Sequence, residues 1–236
     1  VTTVHVNGPY QFDVTSDEQS MKFTNVRFEI SGGAEFTFDL ANNEFEGTTT
    51  FTGIAEQGSD GGVFYVESGS SATFEVPMAF EDNSVSAGYS GGAVYAGGEV
   101  EFQYDVSFAG NQALRDGDDD AGSGGAIAVG PEGDVLFSDV AIFTENVANS
   151  GGRGGAMENL GSVVFKKASY FTDNEAKENG DELGGLGGAL YTGLGSTTSF
   201  ERRAIMNLNE GSNGGAMYNL GSITLESAGF LRGNKA

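Results

Sequence analysis

The feature that most constrains this chain is a Gly-Gly pair that recurs ahead of a short apolar run. Pairs begin at Gly32, Gly61, Gly91, Gly124, Gly154, Gly187 and Gly214, in steps of 29, 30, 33, 30, 33 and 27 residues. A second landmark lies downstream of the pairs, an apolar residue three places ahead of Asn. It occurs as Phe80…Asn83, Phe108…Asn111, Phe143…Asn146, Phe171…Asn174, Met206…Asn209 and Leu231…Asn234. From the second Gly to the Asn the spacing alternates between 21 and 19 residues, so the underlying period is a two-coil unit of 63 residues, from Gly61 to Gly124 and again to Gly187. A repeat on this scale means like units stacked on one another, each burying its apolar side against its neighbours. The pair at Gly32 reads as a degenerate first copy, with Ile54 in the place of Asn. Residues 1–30 read as an N-terminal cap to a single continuous domain over 31–236.

Within one unit, Ala126–Val129, Val135–Phe137 and Val140–Phe143 are short β-branched and aromatic runs separated by turn residues such as Gly130-Pro131-Glu132-Gly133. These are strand signals, and no stretch keeps an apolar period of 3.6 long enough for a helix. Three short strands repeated in one direction predict an all-β fold, a right-handed parallel β-helix of about seven coils, stacked ~4.8 Å apart. The pairs Gly91-Gly92, Gly124-Gly125, Gly154-Gly155, Gly187-Gly188 and Gly214-Gly215 then serve a bend that a Cβ would hinder. The Phe column stacks aromatic area, and Asn83, Asn111, Asn146, Asn174 and Asn209 are expected to take left-handed turn positions and bond from coil to coil. These repeated residues are read as structural.

Composition narrows the function. The 39 Gly and net charge of −23 raise the question of disorder, but 18 Phe and 8 Tyr are too many for a solvated polyelectrolyte. An excess of 34 acids over 11 bases excludes nucleic acid as a partner, because phosphate binding needs a basic face. With no Cys there is no disulfide, thiol nucleophile or Cys-based metal site. No run is long and apolar enough for a membrane helix, and no signal peptide is visible.

The motifs GGAV at Gly91, GGAI at Gly124, GGAL at Gly187 and GGAM at Gly154 and Gly214 alternate with FEDN, FAGN, FTEN and FTDN, and more loosely with MNLN and LRGN. This pattern resembles the polymorphic membrane proteins, autotransporter surface proteins of Chlamydia, over about residues 61–236. The resemblance implies a β-helical passenger that mediates adhesion to host cells. The chain departs from the family pattern in having no C-terminal β-barrel, no Cys and a strongly acidic balance. It is therefore expected to be a fragment or a stand-alone homologue.

Two features offer chemistry. Acidic connectors carry Asp116, Asp118, Asp119 and Asp120 in one, and Glu178, Asp181 and Glu182 in the other. Clustered carboxylates on loops suit Ca²⁺, the one cofactor considered, although the glutamate twelve positions on that an EF-hand requires is missing. Plain solvated, mutually repelling loops are the preferred alternative. The second feature is a basic island: Asp139, Lys167 and Arg202 fall seven residues before a motif Asn, with Lys166 and Arg203 beside them. A β-helical polysaccharide lyase or epimerase uses such groups to neutralise a uronate. An inter-coil salt-bridge ladder is the plainer reading. His5 stands alone in an alternating stretch and reads as an ordinary strand residue.

No catalytic residues are assigned. The leading expectation is a non-enzymatic, rigid β-helix for adhesion or assembly, at a surface or in an extracytoplasmic compartment. A protein partner or adjoining domain is expected over the C-terminal coil, and a glycan is a further candidate partner. A carbohydrate-active β-helix, as lyase, epimerase or binding module, is the alternative. Ice binding would need a flat Thr face, and Thr48-Thr49-Thr50 and Thr197-Thr198 lie outside the repeat register.

Overall fold

Strands this short can bury their side chains only by stacking on copies of themselves, and the chain does so. The computed structural model describes residues 2–6, 10–14, 20–24, 26–40, 48–86, 88–114, 122–149, 151–178 and 184–236. Among them there is no helix, and every strand pairing is parallel. The fold is a parallel β-helix. Face 1 stacks Thr2–Val6, Val26–Ile30, Phe64–Val66, Val94–Ala96, Ile127–Val129, Met157–Asn159, Leu190–Thr192 and Met217–Asn219. Face 2 stacks Tyr10–Val14, Glu35–Leu40, Ser71–Phe74, Glu99–Phe102, Asp134–Phe137, Ser162–Phe165, Thr197–Phe200 and Ser222–Leu225. Face 3 stacks Ser20–Phe23, Thr48–Thr52, Met78–Glu81, Val106–Ala109, Ala141–Thr144, Ser169–Thr172, Ala204–Asn207 and Phe230–Arg232.

Each of these sheets has eight strands, so the stack has eight coils. A narrow fourth sheet of two-residue strands, from Ala55–Glu56 to Glu210–Gly211, follows face 3. Its strands are too short to leave an apolar signature, which is why the sequence predicts three strands per coil. The segment 1–30, expected as a cap, supplies the first strand of all three faces and pairs in register with the next coil. Gly32-Gly33 stands after the face 1 strand, because Phe28 pairs with Phe64 and Ile30 with Val66. The other pairs precede that strand, so the Gly32 pair is a turn of different position and not a copy of the motif.

The Gly pairs occupy equivalent places from Gly61 to Gly214, linked by backbone bonds such as Gly91 N to Ser123 O and Gly124 N to Arg153 O. Gly124 has φ +61°, and a Cβ there would lie 2.1 Å from the carbonyl oxygen of Ile127. The alternation of 21 and 19 residues comes from the turn between faces 1 and 2. It spans four residues at 67–70, 130–133 and 193–196 and two at 97–98, 160–161 and 220–221. Ser68 in one long turn hydrogen-bonds Glu132 in the next long turn, bridging past the short turn between them. Extra length is absorbed in turns, so the strands keep their register.

Two aromatic columns fill the core. On face 3, Phe51, Phe80, Phe108, Phe143 and Phe171 stack with centroids 5.6, 4.8, 5.0 and 4.7 Å apart. On face 2, Phe74, Phe102, Phe137, Phe165 and Phe200 stack at 4.9, 5.3, 4.6 and 4.8 Å. The columns meet edge to face, as in Phe137–Phe143 at 83°, so both favourable ring geometries recur at every coil. The second column is visible in the sequence as a Phe six residues before the apolar residue of the first five Asn motifs, outside the landmarks that define the repeat.

The Asn ladder forms as expected in its bonding but not in its backbone. Each amide nitrogen donates to the next Asn Oδ1, from Asn83 to Asn111, Asn146, Asn174, Asn209 and Asn234, at 2.9–3.0 Å. The left-handed residue is the one before the Asn: Asp82, Glu145, Asp173 and Leu208 have φ of 53–56°, and Gly110 and Gly233 fill the same place. Turning the chain one residue early aims the Asn side chain inward, where its amide meets the column. Ile54 ends the ladder, offering only its backbone N–H to Asn83 Oδ1.

Candidate functional site

The outward side of face 1 carries the most elaborate polar chemistry among the described residues. Register places Tyr65, Tyr95, Ala128, Glu158, Tyr191 and Tyr218 in one column. All stand four residues after the first Gly of a pair, an offset present in the sequence but carrying no signal there. Beside this column, one residue before each pair, run Asp60, Ser90, Ser123, Arg153, Leu186 and Asn213. Tyr65 and Tyr95 stack at 5.3 Å, and Tyr191 and Tyr218 at 5.9 Å. Ala128 and Glu158 separate the two tyrosine pairs.

Each tyrosine pair has an arginine. Arg27 is buried; its Nε donates to Gly61 O, Nη2 to Asp60 O and Nη1 to Glu29, with the guanidinium 5.6 Å from the Tyr65 ring. Three fixed donors of one planar group hold the loop before Gly61 onto the face, a positioning role. Arg153 lies 4.9 Å over the Tyr191 ring and 2.8 Å from Glu158 Oε1. That approach is off the N–H axis, so Oε1 has a charge neighbour but no aligned hydrogen bond.

Glu158 points outward yet is only 4 % exposed. Burial raises its pKa to about 7; the nearby Arg153 opposes the rise and Asp60 adds to it. Asp60 is also raised, by burial, against a bond from Ser90 N–H and the charge of Arg27. A carboxyl with a folded pKa above its unfolded value stabilises the fold fully below the unfolded value, near 4.5, and that contribution is lost as pH rises through about 7. Glu158→Gln is therefore expected to gain up to about 3 kcal/mol over the parent at pH 8, at ~1.4 kcal/mol for each tenfold change in proton affinity. The two proteins should be nearly equal at pH 4. Urea unfolding at both pH values checks this, and an equal difference at both would refute it.

The residues singled out from sequence fall elsewhere. Lys167 and Arg202 occupy one column with Asp139, since the flanking registers Phe137–Phe165–Phe200 and Ala141–Ser169–Ala204 enclose equal spans. Lys166, Lys167, Arg202 and Arg203 lie at the turn from face 2 to face 3, where Lys166, Arg202 and Arg203 are exposed and Lys167 is open to solvent. The expected salt-bridge ladder does not form: among the described residues none of the four is in an ion pair, and Arg203 instead lies 5.6 Å from the Phe230 ring. Long side chains in water gain too little from such a pair to be held in it. Asp116, Asp118, Asp119, Asp120, Asp181 and Glu182 lie outside the described residues, and Glu178 is exposed. His5 is a largely exposed strand residue 3.5 Å from Glu29. The face 1 cluster, at a distance from the basic corner, is the part that motif spacing does not reveal.

Comparison with known proteins agrees with the repeat. The Chlamydia polymorphic membrane protein repeat matches residues 105–130, which hold the end of one coil and the Gly pair of the next. No curated protein and no solved structure is detectably similar to the chain. No helix is long and apolar enough to cross a membrane among the described residues.

Proposed function

We propose that this chain, which carries repeats of the polymorphic membrane protein type, is a non-enzymatic β-helical interaction module for adhesion or assembly outside the cytoplasm, with the last coil as a docking end. One observation carries the proposal. Leu225 pairs in register with the buried Phe200, and Leu231 with the buried Met206, so both hold core positions. Yet Leu220, Leu225, Phe230 and Leu231 are 43–56 % exposed. Apolar surface gathered at an open sheet edge is a template for another strand layer. The occupant that satisfies these core positions is a further β-coil of the same kind.

The corner cations support binding rather than turnover, because they project from an exposed turn and no buried base stands among them. The test is sedimentation velocity over a wide concentration range. The chain should self-associate through this end, and Phe230→Asp with Leu231→Lys should leave a monomer with an unchanged circular dichroism spectrum. A parent chain that stays monomeric at every concentration would overturn the docking end.

A further inference from the structure

Face 2 is chemically divided along its length. Its first outward column runs Glu35, Ser71, Glu99, Asp134, then Ser162, Thr197 and Ser222. The second runs Thr37, Thr73, Glu101, Leu136, Val164, Ser199 and Thr224. All the carboxylates fall in the first five coils. The last three coils form a flat platform of hydroxyls with one valine.

The cationic corner adjoins that platform. Lys166 and Lys167 follow Ser162–Phe165 directly, and Arg202 and Arg203 come just after Thr197–Phe200. Four of the eleven Lys and Arg of a chain of charge −23 are thus gathered on two adjacent coils, facing solvent. The acids at the same corner are Asp139, Glu201 and Glu226, and none pairs with them. Free cations beside a row of hydroxyls are complementary to a ligand that carries both anionic groups and hydroxyls.

We propose that the last three coils of face 2 and their corner bind an anionic polysaccharide, a chain of uronate or sulfated sugars lying along the stack. Lys167 and Arg202 stand one coil apart, ~4.8 Å, close to the length of one sugar in an extended chain. One charge per sugar can therefore meet one cation per coil, through charge-assisted bonds. Ser199, Thr197, Ser222 and Thr224 exchange hydrogen bonds with sugar hydroxyls in the same register. Charge density separates this ligand from nucleic acid. Duplex DNA carries a charge every ~1.7 Å and would press several against the acidic coils of the face. A polyuronate places about a third as many there. The acids of the first five coils then limit the bound segment to the last three.

The experiment measures binding of the full chain to an oligogalacturonate and to a heparin fragment, with dextran and poly-L-glutamate as controls. Binding to at least one of the two polyanions is expected, weakening as salt rises. Lys167→Ala with Arg202→Ala should weaken it by about tenfold or more, the size expected from losing two charge-assisted contacts. Ser199→Ala with Thr224→Ala should weaken it less and leave its salt dependence unchanged. None of these side chains holds the fold in an ion pair, so folding is checked simply by circular dichroism. A Leu231→Asp variant, changed at a core position of the last coil and not at the ring beside Arg203, should bind as the parent does, which keeps this test independent of the docking end. The proposal is overturned by no binding to either polysaccharide at low salt, by an unchanged affinity in the Lys167, Arg202 double variant, or by equal binding to poly-L-glutamate.

Discussion

Gly125→Ala is expected to prevent the stack from closing, with a loss above ~4 kcal/mol, beyond what repacking a core side chain costs. A Cβ on Gly125 would lie 2.1 Å from Gly155 O and 2.6 Å from the backbone C and N of Val147. These are backbone atoms of the next coil and of the narrow sheet, so no side chain can swing aside. The approach falls roughly 1 Å short of a tolerable contact, and the coils are held there by Ala126 N to Ala156 O at 2.9 Å. Opening that gap breaks the parallel pairing on both flanks. Gly195→Ala is the control. Gly195 has φ +79° and nothing within 4 Å of an added Cβ, so it should lose only the ~1–2 kcal/mol of left-handed strain. Urea midpoints of the two variants decide the matter. Equal losses would mean that the Gly pairs serve backbone conformation alone.

That contrast shows what could be read from the sequence and what could not. Pair spacing revealed the coils because each Gly pair answers to a backbone contact that recurs once per turn of the helix. The six Asn were legible for the same reason. The Gly32 pair was misplaced because a glycine in a turn with φ +67° looks the same in sequence as one forced by a neighbouring coil. The narrow sheet escaped notice because two-residue strands bury too little to leave a pattern. The face 1 cluster was hidden for a different reason. Tyr, Glu and Arg at outward positions look like ordinary surface residues until register aligns them. Only then does Glu158 emerge as a buried carboxyl in register with the small Ala128, with an arginine for company. The acid-to-hydroxyl division of face 2 likewise exists only as columns, never as a run along the chain.

Asn146→Ala is expected to cost roughly 2–6 kcal/mol, at ~1–3 kcal/mol for each of the two buried Asn111 donors that lose their acceptor. Asn146 is fully buried. Its Oδ1 accepts from the backbone N–H and the amide of Asn111, both at 3.0 Å. Its amide donates to Phe108 O and to Asn174 Oδ1, again at 3.0 Å. Alanine strands the Asn111 N–H, takes one donor from the Phe108 carbonyl, removes one of two acceptors from the Asn111 amide, and divides the ladder into two pieces. Ile54 shows how the ladder can end without an amide: its backbone N–H still reaches Asn83 Oδ1. Asn146→Asp sharpens the test. A carboxylate keeps the acceptor but sets an oxygen against Phe108 O in a buried site, so burial should raise its pKa. Protonated, it can donate again. The Asp variant should therefore be nearer the parent in acid and fall away as pH rises, while the Ala variant should show no such dependence. If both lose the same amount at every pH, the ladder acts by filling space and not by its hydrogen bonds. The outward columns of face 1 and face 2 would then owe their alignment to the stacked phenylalanines alone.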